Sequence, residues 1–160
     1  VHIKANFLMY ENGANTPPPT LTQTDAADAV IRSKMFRFTQ AKKIREVLDR
    51  EFAEDSNAQL IALGDFNSKT GNKVLDIVQG RVRGRSDALV AILDEVPEEV
   101  RYTVTEKQGR AVIDHVFVSR SLVPSVSTVH IHNEQLIAHG DHPDHPYIIP
   151  SDHAAVTFVL

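Results

Sequence analysis

The chain has 160 residues, 42% of them hydrophobic and 24% charged, a globular composition long enough to bury one core. It contains no cysteine, which excludes a disulfide scaffold, thiolate-ligated zinc and a thiol nucleophile. A formal charge of −4 excludes a strongly basic nucleic-acid coat but leaves room for a metal-assisted contact with phosphate.

Taken in chain order, residues 1–8 read as a strand, and residues 12–24, with three consecutive prolines, read as a mobile loop. From 25 to about 54 the apolar residues Ala41, Ile44, Val47, Leu48 and Phe52 recur at helical steps. Lys42, Lys43, Arg45, Glu46, Asp49 and Arg50 fall on the other face, so a long amphipathic helix is expected, capped by Thr24 or Asp25. Residues 59–63 form a short apolar run that stops at Gly64 and read as a buried strand. Shorter helices are expected at 72–79 and 87–95, and strands at 100–105, 111–118, 126–132 and 154–159. With no internal repeat and no shift in composition, this describes one α/β unit whose strands have mostly antiparallel neighbours. Apolar runs such as 88–93 fall far short of the roughly 20 residues that span a bilayer, so no membrane span is expected. Val1 lies inside an apolar stretch with neither an initiator methionine nor a signal peptide, and the sequence reads as cut from a longer one.

Three segments carry chemistry. The first, Gly64-Asp65-Phe66-Asn67, ends an apolar strand with a carboxylate and an amide two positions apart, which extended backbone projects to one side. That pair suits a magnesium-assisted phosphoester site, and its residue types equally suit a plain turn. In the second, Ile113-Asp114-His115, alternation puts Asp114 in an apolar row with Val112, Val116 and Val118. A carboxylate there needs a cation, a metal, a histidine N–H or backbone N–H groups. The third, Ser151-Asp152-His153, joins an anionic metal ligand to a base that titrates near neutral pH, or else caps the strand that follows.

In this order the three segments resemble the endonuclease/exonuclease/phosphatase superfamily, which includes deoxyribonuclease I, the abasic-site endonucleases, inositol polyphosphate 5-phosphatases and bacterial sphingomyelinases. A fourth match is Val1-His2-Ile3-Lys4-Ala5, where Ala5 replaces the serine usual in the family. The resemblance implies an α/β (α+β) fold, the C-terminal part of a two-sheet, four-layer sandwich of deoxyribonuclease I-like type. Residues 1–160 then form a partial domain without its N-terminal portion, which supplies an asparagine and a metal-binding glutamate. The resemblance assigns Asp65 and Asn67 to positioning water or phosphate, with Asp65 also a metal ligand. It makes Asp152 a metal ligand, His153 the base or transition-state donor, Asp114 the residue behind an active-site histidine, and His2 a contact to the scissile phosphate. The cofactor it implies is Mg2+, or Mn2+ or Ca2+. The reaction it implies is hydrolysis of a phosphoester, nucleic acid among the candidates, by in-line water attack, with the 160-residue piece itself inactive. A half sandwich exposes an apolar face for dimerisation, swapping or the absent half to cover. The alternative is a non-catalytic copy of the fold that binds a partner or a metal.

Two other clusters stand out. His130, His132, His139, His142 and His145, with Asp141 and Asp144 among them, offer imidazole and carboxylate to zinc or nickel, or simply form a solvated insertion. Arg81, Arg83 and Arg85, near Lys73, form the one local basic run, a phosphate grip or a solvated loop.

Overall fold

The computed structural model describes residues 1–5, 7–10, 17, 21–83, 87–136 and 151–160. The long helix α1 (Gln23–Glu54) starts two residues earlier than the periodicity implies. Its cap is Thr22 rather than Thr24 or Asp25. The Thr22 hydroxyl accepts from the Asp25 N–H, and the Asp25 carboxylate accepts from the Thr22 N–H, a reciprocal arrangement that satisfies two donors at once. Residues 23 and 24 are therefore helical, and most of the loop expected before them lies outside the described residues.

The buried stripe of α1 comprises Ala29, Ser33, Arg37, Ala41, Arg45 and Leu48, so half of it is polar. This corrects the expected faces. Arg45 turns inward to Asp49 and Asp87, at 2.7 and 3.1 Å, while Val47 is exposed. An inward arginine is stable here because its donors meet carboxylates and its stem packs on apolar neighbours.

After α1 come β1 (Ile61–Asp65), α2 (Lys73–Gln79), β2 (Val90–Ala91), β3 (Val104–Glu106), β4 (Gly109–Ala111), β5 (Asp114–Val118), β6 (Thr128–His132) and β7 (Ala155–Val159). All named pairings are antiparallel, and they build three sheets: β1-β5-β2, β3-β4 and β6-β7. The helix expected at 87–95 is instead the short β2 followed by a 3₁₀ turn at Ile92–Glu95, because β2 is captured by the edge of β5. The strand expected at 111–118 is split into β4 and β5. The N–H groups of Ile113 and Asp114 leave the ladder to bond the Thr103 hydroxyl. Among the described residues of 1–8 there is no strand, only an isolated parallel bridge from His2 to Asp65. Ile3 N–H donates to the Asp65 carbonyl at 2.9 Å, and α1 side chains hold the rest, Gln40 accepting from Lys4 N–H and Ser33 donating to the Phe7 carbonyl.

The period-two alternation of β5 assigns its two faces to different layers. Phe117 joins Ala62, Phe66, Ala41, Leu48, Val74 and Val78 in the core beneath the helices. Val116 and Val118 face the other way, against Val129 of β6 and Val156 and Phe158 of β7. Helices, a central sheet and a facing sheet thus stack in that order, a mixed α/β fold with several antiparallel sheets. Beyond the cover of the facing sheet, Ile61 and Leu63 of β1 are exposed. No helix among the described residues is long and apolar enough to cross a membrane.

Candidate active site

The register of the central sheet places Asp65 directly opposite Asp114 at the last rung between β1 and β5. Both belong to the set that includes Val116 and Val118, so they point toward the facing sheet rather than the helices. His153, two residues before β7, enters from that facing sheet, and its Nδ1 lies 2.8 Å from Asp114 Oδ2. An imidazole nitrogen beside a carboxylate carries a proton, so Nδ1 donates to Asp114. The two side chains are 33% and 19% exposed, which leaves the ring accessible and its carboxylate sheltered.

Asp65 is held from its other side. Asn67 gives it two bonds, backbone N–H to Oδ1 and Nδ2 to Oδ2, each 2.7 Å, while Nδ2 also donates to the Ile3 carbonyl at 2.9 Å. Asn67 has φ +47°, so the extended geometry expected between Asp65 and Asn67 is replaced by a turn. The turn reading and the site reading therefore describe one object: the left-handed residue folds the amide back onto the carboxylate. His2 approaches the same carboxylate, Nε2 to Oδ2 3.7 Å, with its side chain 76% exposed.

Donor atoms of Asp65, Asp114 and His153 lie within 4.8 Å of one another. Two like charges on one rung repel, and the Asn67 amide and the His153 N–H offset that repulsion. Two carboxylates are a fitting donor set for an oxygen-preferring divalent cation. Asp152 is half-buried beside this cluster in sequence and is not one of its three donors. A cavity of ≈ 210 Å³ opens here between the sheets, lined by Leu63, Gly64, Asp114, Val156 and Phe158 among others.

Two further residues support the site, one of them in the segment Arg101-Tyr102-Thr103, which resembles the family segment preceding the Asp-His motif or else simply packs. Thr103, fully buried, accepts from the Ile113 and Asp114 N–H groups through its hydroxyl, each at 3.1 Å, and from the Ala154 N–H through its carbonyl at 2.8 Å. One residue thereby fixes both Asp114, through its hydroxyl, and the approach to His153, through its backbone carbonyl. Arg37 of α1 donates from Nη2 to the Asn67 carbonyl and to Ser68 Oγ, each at 2.6 Å, clamping the Asp65–Asn67 turn from below. Burial pushes its guanidinium below the usual arginine range, and the Asp65 charge opposes that shift. Thr103 shows in the sequence only through its segment, and Arg37 has no signature, since it looks like the solvated side of a helix. His115, adjacent to Asp114, points the other way. It stacks on Phe117 and donates from Nε2 to the Ser68 carbonyl at 2.8 Å, and burial drives its pKa below the ordinary histidine value.

A model of the Endonuclease/Exonuclease/phosphatase family matches residues 11–153, most of the chain. The chain belongs to this family. Asp65, Asn67, Asp114, Asp152 and His153 all lie within the matched span, and His2 precedes it. Neither the curated proteins nor the solved structures contain a match. Family membership assigns a general class of chemistry, metal-dependent hydrolysis of phosphoesters, to the endonuclease/exonuclease/phosphatase fold described here. Of the basic run, Arg81 is exposed in a 3₁₀ turn with Val82 and Arg83, and Arg85 lies outside the described residues, as does the tract holding His139, His142 and His145.

Proposed function

We propose that the intact protein is a divalent-cation-dependent phosphoesterase, a nuclease or a phosphodiesterase or phosphatase, that hydrolyses its substrate by in-line attack of water. The observation that carries this reading is the Asp114–His153 contact of 2.8 Å beside the Asp65 carboxylate. Asp114 orients the ring through Nδ1 and stabilises it when charged, so that His153 Nε2 takes or returns a proton at the reacting oxygen. Asp65, held by Asn67, positions the attacking water or a phosphoryl oxygen, and exposed His2 contacts the phosphate undergoing cleavage. A magnesium, manganese or calcium ion would be held by Asp65 of this cluster together with Asp152, the residue before His153, and would supply charge neutralisation at the phosphoryl oxygens.

We infer further that residues 1–160 are the C-terminal part of the domain and are inactive alone. The exposed Ile61 and Leu63, beside the cavity that Asp114 helps line, favour this. The test uses the protein extended upstream of Val1 and a generic aryl phosphodiester with magnesium. His153→Ala is expected to lower turnover by about 10²–10⁴-fold, the range for a positioned acid or base. Asp114→Asn should do likewise, with a changed pH profile. Unchanged turnover in His153→Ala overturns the assignment, and robust turnover by residues 1–160 alone overturns the partial-domain reading.

A further inference from the structure

The outward face of β6 carries a second cluster that the phosphoester site does not use. Val129 and Ile131 of β6 pack into the core, so alternation turns His130 and His132 to solvent on one side of the strand. Their ring centroids are 4.4 Å apart. The chain then turns and brings Glu134 back, its Oε1 3.0 Å from His130 Nε2. His132 Nε2 lies 2.9 Å from Thr157 Oγ1 on β7, the strand that pairs with β6 along five residues. Ligand atoms of His130, His132 and Glu134 all lie within 4.8 Å of one another, and all three residues are exposed.

We propose that His130, His132 and Glu134 form an open surface site for a borderline divalent metal, zinc in the first place. The donor set decides the ion: two imidazoles and one carboxylate suit zinc, copper or nickel, whereas magnesium prefers an all-oxygen shell. The strand fixes the spacing of the imidazoles, so little ordering remains when a metal enters. Binding replaces the contact between His130 Nε2 and Glu134 with bonds to the ion, and three protein ligands leave a position open to water or another ligand. Exposure keeps the cost of removing water from the donors low.

The experiment is a zinc titration of the full chain against a chromophoric chelator, with circular dichroism to verify each variant. His130→Ala/His132→Ala is expected to weaken zinc binding by at least about 10-fold, the lower bound for disturbing a metal site's supporting groups. Glu134→Gln should weaken it less, and His139→Ala/His142→Ala/His145→Ala should leave this site intact. Absence of zinc binding by the wild type, or wild-type affinity in the double variant, overturns the proposal. A second measurement needs no variant: substoichiometric Ni2+ should broaden the ring signals of His130 and His132 ahead of those of His153, and the reverse order overturns it.

Discussion

Gly64→Ala tests how the N-terminal segment is seated against the site. Gly64 has φ +139°, and a Cβ built there would lie 1.9 Å from the Val1 carbonyl oxygen and 2.8 Å from Val1 C and N. All three atoms are backbone, so no side chain can swing away. The left-handed backbone alone costs an alanine about 1–3 kcal/mol. Moving residues 1–3 outward also breaks the bond from Ile3 N–H to the Asp65 carbonyl, about 1 kcal/mol. It uncovers part of Ile3, which is fully buried and worth about 1.5–3 kcal/mol when completely so. Together the loss is about 3–6 kcal/mol, a large part of the roughly 5–15 kcal/mol that holds a domain together. Gly71→Ala supplies the control, because Gly71 also has a positive φ, +83°, but nothing lies within 4 Å of its Cβ position. Urea unfolding should shift the Gly64→Ala midpoint down by about 1.5–3 M for a slope near 2 kcal/mol/M, and Gly71→Ala by clearly less. Equal shifts for the two variants would show that strain alone acts, and would refute the seating of Val1–Ile3 against β1.

Arg37→Met removes two charge-assisted bonds beneath the Asp65–Asn67 turn and should destabilise the fold by about 2–4 kcal/mol in thermal or urea unfolding. A neutral result would mean that the guanidinium does not clamp the turn. For His115, burial lowers the folded-state pKa below 6.5, so the unfolded chain binds the extra proton first as pH falls. Its contribution to stability is therefore complete above the ordinary histidine value of 6.5 and declines as pH drops through and below that value. His115→Gln should flatten the loss of urea midpoint between about pH 7.5 and 5.5, and parallel curves for variant and wild type would refute the buried neutral ring.

Much of this architecture is legible without coordinates where one physical signal dominates. The long run of three- and four-residue steps marks α1, and the β-branched run before Ser119 marks β5. The reading fails where a neighbour decides. Val90 and Ala91 have the company of a helix and become strand because β5 offers an open edge. Arg45 looks solvated until Asp87, 42 residues away, meets it. The candidate site divides in the same way. The residue types of Asp65, Asn67, Asp114 and His153 announce chemistry, yet no spacing shows that β1 and β5 set two carboxylates on one rung. The bonds that Thr103 and Arg37 make stay silent because they reach residues distant in sequence, which leaves no pattern along the chain.

The rung formed by Asp65 and Asp114 draws on positions 49 residues apart, and the bond to His153 spans another 39. Their alignment depends on ladder hydrogen bonds and on Thr103, not on the length of chain between them. The connections that leave β1 and β5 can therefore lengthen, shorten or change character while Asp65 and Asp114 keep their places. On the function proposed above, the chemistry of cleavage would rest on a register that a single-residue slip would turn inside out, leaving selectivity among phosphoesters to be adjusted separately.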